Sequence, residues 1–428
     1  MKVLVVGGGG REHALCWAWR RDHPADRLYA APGNTGTASL ATNLPVPTAD
    51  IAGLVAAARD QQIDFVIVGP EAPLAAGLAD ALRAAGITTF GPGAAAAQIE
   101  ASKAFAKDVL VAAHVPTAAS KTFRAIEPAL FYISESKEPL VVKASGLAAG
   151  KGAVVCVTRD EAAATARAFL SDKTLGAAGE EIVVEDFLTG EELSVLALTD
   201  GEQVCLLPPA QDHKRLGEGD TGPNTGGMGA YCPVGLATPA LLDRVSREVL
   251  EPTLQELARQ GKRYTGVLYA GLMVAADGTP FVLEFNCRFG DPETQVLLPV
   301  LSLGATQQLY DIARGAWRPG STMLPATGAA VTTVLAAPGY PERPQTGAAI
   351  SVPDDLGPDV IVFHAGTTRD AHGMLRVHGG RVLNVTGLGP TVPDAAWRSA
   401  TASARVTFEG RQYRRDIAWR EIRRAGAA

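Results

Sequence analysis

Residues 281–295, FVLEFNCRFGDPETQ, hold the densest set of side chains in this protein that could do chemistry. The apolar run into Phe285 reads as a strand. A strand's period of two puts Glu284 and Asn286 on one side of the sheet, where they can share a ligand. Beyond them come a cation, Arg288, a flexible Gly290 and two carboxylates, Asp291 and Glu293. An edge strand running into a charged surface turn has the same local pattern, so the elements around it must decide.

The first of those elements is the strand 3–6, which runs into Gly7, Gly8, Gly9 and Gly10 and opens a helix through Arg20. Strand, glycine turn and helix begin a doubly wound domain whose helix N-terminus can receive a phosphate. Glu12 occupies the third glycine position of a dinucleotide fingerprint, where its bulk and charge oppose a pyrophosphate. Strands at 28–30 and 64–68 end in Pro32-Gly33-Asn34 and Gly69-Pro70-Glu71, and a third lies at 87–90. Loops at the carboxyl ends of strands are where open α/β sheets bind ligands; with Glu12 these suggest a polar small-molecule crevice.

Residues 94–112 read as one Ala-rich helix carrying Lys103 and Lys107. The strand 140–143 then enters a small-residue hairpin with Lys143 at its base and Lys151 near its tip. Its bared backbone N–H groups can fold over a polyphosphate, although the spacing is not that of a Walker A loop. A strand at 181–188 ends in Phe187 and Leu188, a connector able to hold a flat base, with a nearby acid to accept from a ribose hydroxyl. Gln211-Asp212-His213-Lys214-Arg215 starts a loop to Tyr231 with six glycines; long loops of this kind are usually functional.

At 428 residues the chain predicts two to four domains. A net charge of −6 gives no general reason to expect nucleic acid. The basic tail with Arg411, Arg414, Arg415, Arg420, Arg423 and Arg424 reads as a solvated helix end. Five scattered cysteines form no disulfide framework. The N-terminus lacks a signal peptide's apolar region and no run reaches membrane-spanning length. A cytoplasmic protein with neither membrane nor nucleic-acid partner is expected, as a monomer or, alternatively, a weak homodimer. The segment 317–327 reads as a linker, followed by strands at 331–335, 360–363 and 381–388. His364, His372 and His378 lack metal-ligand spacing and read as ordinary surface or cap histidines.

GREHA at 10–14, APGNTGT at 31–37, VGPEAPL at 68–74, QDHKR at 211–215, TGPNTGGMGAY at 221–231 and EFNCRFGDPETQ at 284–295 are motifs found together. In that order they resemble the phosphoribosylamine–glycine ligase family of the ATP-grasp superfamily, and the likeness extends to DIAWR at 416–420. The resemblance implies an α/β multidomain fold. A Rossmann-like N-terminal domain would span 1–102, a two-lobed ATP-grasp region 103–325 with a mobile lobe at 117–190, and a small α+β C-terminal domain 326–428.

It further implies that glycine is ligated to 5-phosphoribosylamine at the expense of ATP, through glycyl phosphate, in purine biosynthesis. Glu284 and Asn286 would bind Mg²⁺ or Mn²⁺. Lys103 and Lys143 would neutralise phosphate oxygens, adenine would lie along Glu185, Phe187 and Leu188, and Glu192 would meet the ribose. Arg288 would hold the glycine carboxylate, with Asp291 or Glu293 on its ammonium group. Phosphoribosylamine would lie against Glu12, Gly33, Asn34, Pro70 and Glu71, closed from the other side by Asp212, Lys214, Asn224, Gly226 and Met228. Ser145 stands where the family's hairpin carries Asp, which implies altered nucleotide affinity or loop closure. Another ATP-grasp carboxylate–amine ligase and a non-catalytic nucleotide-binding protein are the alternatives.

Overall fold

The computed structural model describes residues 1–148, 150 and 152–427. Its first layer is a parallel sheet in the order Thr42–Asn43, Arg27–Pro32, Lys2–Gly7, Phe65–Val68, Thr88–Phe90. Val3, Leu4, Val5 and Val6 have no exposed surface, as a central parallel strand covered on both faces requires. Full burial of each such side chain stabilises the domain by roughly 1.5–3 kcal/mol. Because Lys2–Gly7 pairs with Arg27–Pro32 on one side and Phe65–Val68 on the other, the chain order reverses there. The crevice of such a sheet opens beyond that strand's carboxyl end, where the glycines lie.

The single helix expected over 94–112 is two, Ala94–Ala101 and Lys103–Ala112. Ser102 between them is extended, and its hydroxyl accepts from Phe105 N–H at 3.2 Å. A serine offering a cap starts a new helix more readily than it continues an old one. The chain then builds an antiparallel sheet in the order Ser120–Phe123, Ile182–Asp186, Leu140–Ala144, Ala153–Cys156. Its helices Ile126–Glu135 and Arg159–Leu170 enclose a separate core around Ile133, Leu140, Val142 and Val184. A second antiparallel sheet follows, ordered Val204–Leu206, Glu191–Thr199, Gly266–Val274, Pro280–Asn286.

The glycine-rich segment 211–231 is more ordered than a structureless loop. Gln211–Asp212 pairs with Gly229–Cys232, and Arg215–Gly217 with Thr221–Asn224. Gly229–Cys232 also pairs with Ala329–Ala336, joining Arg381–Gly389 and Val360–His364 in one five-stranded sheet. That sheet crosses the expected boundary at 325/326. The basic tail is no solvated helix end either: Arg414 is 1% exposed, and Arg420 and Arg424 pair with Asp220 and Glu191. All five cysteines are free and buried. No helix among the described residues is long and apolar enough to cross a membrane.

Candidate functional site

Gly271 opposes Glu284 while its neighbour Leu272 opposes Val282, so Leu283 is the extra residue of a β-bulge. The bulge turns Val282 and Phe285, 0% and 2% exposed, into the same core. Glu284 and Asn286 keep their two-residue spacing beyond it and share the opposite face. The Leu283 carbonyl accepts from Lys143 Nζ at 2.9 Å. The same amine lies 2.8 Å from Glu185, whose other oxygen is 3.2 Å from Lys107. Glu185 is thus a buried spacer between two lysines, and its side chain is not offered to a base. The connector residues Phe187, exposed, and Leu188, half-buried, follow at once. Lys107, visible in the sequence but given no role there, joins the site by holding Glu185.

Glu192 pairs with Lys214 at 2.8 Å, so Lys214 stands beside the residue expected to meet the ribose. Burial raises the Glu284 carboxyl, yet Lys214, Lys103, Lys143 and Arg288 outweigh it and hold the group below its ordinary value. Asp212 is pushed up to about 8 by burial and by Glu293, Glu192 and Glu284, against the pull of Lys214. Lys214 stays charged: Glu192, Asp212 and Glu284 overcome its burial.

Arg288 is almost fully engaged. Nε donates to Glu71 at 3.1 Å, Nη2 to Glu100 at 2.8 Å and Asn286 at 3.0 Å, and Nη1 to the Phe289 carbonyl at 3.3 Å. Of five N–H donors, one on Nη1 remains uncommitted. Glu71 is therefore drawn to Arg288 and not presented freely to the N-terminal crevice. Glu100 is a residue the sequence did not reveal; it ends an Ala-rich helix with no motif around it, and also accepts from Cys287 N–H at 2.6 Å. Burial, with Glu71 nearby, raises its carboxyl despite Arg288.

The two carboxylates after Arg288 face different ways. Asp291 accepts from Gln295 at 2.8 Å and lies 3.5 Å from Arg381. Burial would raise its carboxyl, but Arg381 and Arg11 hold it low. Glu293 is buried against the second sheet, where it accepts from Tyr269 at 2.6 Å and Ser194 at 3.5 Å.

A cavity of about 320 Å³ opens at the glycine turn between Gly8, Gly9, Gly33 and Asn34 on one side and Asp291, Thr367, His378 and Arg381 on the other. Thr367, His378 and Arg381 were not foreseen, because only the third sheet brings that stretch to the N-terminal crevice. A larger cavity of about 490 Å³, lined by Leu216, Glu218, Arg411 and Tyr413, contains none of the candidate residues.

Next to the cavity's Gly9, the buried Glu12 accepts from Gly9 N–H at 2.6 Å and Arg11 Nε at 2.5 Å, so the helix N-terminus is already closed by a carboxylate. Asn34 donates to Gly8 and His364 carbonyls at 2.9 and 2.7 Å and accepts from Gly36 and Thr37 N–H. It fastens the glycine turn to the C-terminal sheet. His364 is half-buried: its backbone N–H donates to His13 Nδ1 at 2.8 Å and its ring Nδ1 lies 3.1 Å from Thr367 Oγ1. Pro70 caps the short helix Glu71–Ala75. Asn224 and Gly226 are exposed, and Gly226 N–H donates to Tyr340 at 2.9 Å. Met228 is fully buried, with its N–H and carbonyl taken by His213 and Val334, so it backs the wall without lining it.

Ser145 is 5% exposed and turned toward helix Lys103–Ala112. Its hydroxyl accepts from Ala104 N–H at 3.1 Å and its carbonyl from Lys103 N–H at 2.8 Å. The serine is a second cap for the helix that carries Lys103. Ser145→Ala is expected to cost about 1 kcal/mol, measured as a shift in urea midpoint at constant slope. Lys151 lies outside the described residues.

No cluster of three or more His, Cys, Asp or Glu side chains suited to a metal occurs among the described residues. An ionised Glu284 and an amide oxygen from Asn286 suit a hard cation that keeps water and phosphate oxygens as its remaining ligands.

Residues 1–100 match the N domain of phosphoribosylglycinamide synthetase, 101–294 its ATP-grasp (A) domain and 330–420 its C domain. The chain is 48% identical to a phosphoribosylamine–glycine ligase of Agrobacterium fabrum, over 100% of each chain. A crystal structure of phosphoribosylamine–glycine ligase from Thermotoga maritima superposes with a TM-score of 0.86 at 33% identity, covering 98% of this chain and 100% of that one. A biotin carboxylase from Campylobacter jejuni shares the fold at 14% identity, with a TM-score of 0.73 over 96% of this chain and 92% of that one.

Proposed function

The chain belongs to the phosphoribosylamine–glycine ligase family, and from that premise we propose how its residues divide the work of the reaction. It ligates glycine to phosphoribosylamine with ATP, forming glycinamide ribonucleotide in purine biosynthesis. A carboxylate resists attack by an amine, so a glycine carboxylate oxygen first attacks the γ-phosphorus of ATP and ADP leaves. The amine of phosphoribosylamine then adds to the carbonyl carbon of glycyl phosphate. Collapse of the tetrahedral species breaks the C–O bond to phosphate, and the amine nitrogen loses one proton.

One observation carries this division: three places lie in sequence along a single signature. The lysine-rich face of Glu284 and Asn286 comes first, then Arg288, then Asp291 at the mouth of the cavity beside Gly8 and Gly9. Lys143 and Lys103 take the polyphosphate, and Lys214, held by Glu192, adds charge from the opposite sheet. The main chain at Phe187 and Leu188 receives the base, because Glu185 is occupied by its lysines. Mg²⁺ or Mn²⁺ would be held by Glu284 and Asn286 and would supply positive charge to the phosphates. Placing fixed cations where charge moves is the main means of catalysis in phosphoryl transfer.

Arg288 offers its uncommitted Nη1 N–H to the glycine carboxylate, and Asp291, kept ionised by Arg381 and Arg11, takes the ammonium group. Arg381, on the wall of the same cavity, suits the phosphate of phosphoribosylamine. ADP release by purified protein, measured with each substrate omitted in turn, tests the reading. Release should require glycine and phosphoribosylamine together for full turnover, and comparable release with other carboxylates would point to a different ligase.

A further inference from the structure

Asp212 and Lys214 both face the Glu284 cluster, and Lys214 is held there by Glu192 at 2.8 Å. Side chains alternate along an extended chain, so His213 between them points away. It is 1% exposed, and its Nε2 accepts from the Ala418 N–H at 3.0 Å. An imidazole accepting at Nε2 carries its proton on Nδ1, which faces Asp220 Oδ1 at 3.8 Å. Ala418, itself buried, holds a φ of +68°. That conformation is uncommon for a residue with a Cβ, and it occurs where the N–H meets the ring.

The rest of DIAWR converges on the same loop. Asp416 accepts from Gly219 N–H at 2.9 Å. Ile417 fills the space beside Gly229, where an added Cβ would come within 2.7 Å of its Cδ1. Arg420 donates to Asp220 at 2.5 Å and lies over the Trp419 ring. Just before the motif, Arg414 grips both Asp416 oxygens and Asp220 at 2.8 Å and the Arg215 carbonyl at 3.2 Å. The chemistry of ligation has no use for an imidazole turned away from the ligands.

We propose that DIAWR is a positioning element of the active site: through His213 and Asp220 it sets where Asp212 and Lys214 stand. His213 is a positioning residue and touches no reacting group. The proposal rests on the assignment of Asp212 and Lys214 to the reacting centre. A catalytic group displaced by about 1 Å can cost two orders of magnitude in rate, so a loop held at several points by a remote segment has kinetic consequences.

Initial rates for His213→Leu and His213→Gln test this, with nucleotide-binding sites titrated to correct for unfolded protein. Leu fills the space without an acceptor, whereas Gln carries an oxygen to about the reach of Nε2. In H213L kcat should fall roughly 30- to 100-fold with little change in KM for ATP, and H213Q should regain most of that loss. Parental kcat in folded H213L overturns the proposal, as does equal loss in both variants, which would assign the effect to shape and not to the hydrogen bond.

Asp212→Asn and Lys214→Met, assayed alongside, separate the two readings. If both keep parental activity, the assignment of those groups fails. If they lose activity and H213L does not, only the tail proposal fails. Should H213L not fold, Arg420→Gln at the rim of the same network decides: a several-fold fall in kcat supports the proposal and parental kcat overturns it.

Discussion

Glu284→Gln should slow phosphoryl transfer by about two to three orders of magnitude, roughly 3–4 kcal/mol of lost transition-state stabilisation. Gln keeps the size and one carbonyl oxygen but removes the charge that offsets a divalent cation. Lys214, Lys103, Lys143 and Arg288 all converge on this carboxylate, so the variant also leaves four cations facing a site that must attract a fifth positive charge. The deficit should therefore deepen as Mg²⁺ is lowered. Single-turnover ADP formation across a series of Mg²⁺ concentrations reads both effects; a parental metal dependence in folded E284Q would remove Glu284 from the metal site.

The second large effect concerns Arg288 and has two separable parts. Arg288→Met removes the N–H offered to glycine, so glycine dependence should weaken by about two to three orders of magnitude. It also strips the cation from Glu100, and breaking a buried pair from one side costs about 3–5 kcal/mol. Glu100 already titrates above its ordinary 4.5, and without Arg288 it would rise further. The native state then binds a proton that the unfolded chain releases, so stability falls as pH rises above about 4.5 and recovers as pH is lowered.

Arg288→Met combined with Glu100→Gln should regain most of the stability and lose this pH dependence while remaining unable to use glycine at ordinary concentration. Urea unfolding of both variants at several pH values, with glycine titrations, distinguishes the parts. Recovery of glycine use in the double variant would make Arg288 a structural partner of Glu100 and nothing more.

The parts of this site legible in the sequence are those whose geometry is local. Glu284 and Asn286 share a face because two residues separate them, and the bulge at Leu283 leaves that relation intact because it falls before them. Val282 shows the limit: simple alternation would place it beside Glu284, and only the pairing with Leu272 turns it into the core. The glycine turn and its helix were legible as a doubly wound opening, and Glu12 as an obstacle to a pyrophosphate and part of a polar crevice, whereas its closing of the helix N-terminus was not. Ser102 broke a helix that composition alone would continue. Glu100 and Arg288 meet across 188 residues, and Arg381 reaches the Asp291 carbonyl across 90. No periodicity reports such meetings, because they are set by how sheets stack. The boundary at 325/326 came from the resemblance, and no local pattern announced that Gly229–Cys232 pairs across it with Ala329–Ala336.

That shared sheet has a consequence for how the protein is made. Strand Gly229–Cys232 can pair with Gln211–Asp212 as soon as both leave the ribosome, yet its other edge belongs to Ala329–Ala336. At roughly 5–20 residues per second, translation leaves that edge open for seconds on every nascent chain. An open edge of a strand destined for burial is a template for pairing with a neighbouring chain, and on a crowded polysome the nearest neighbour is an identical one. A chain cut short after the second sheet would therefore keep that edge unpaired.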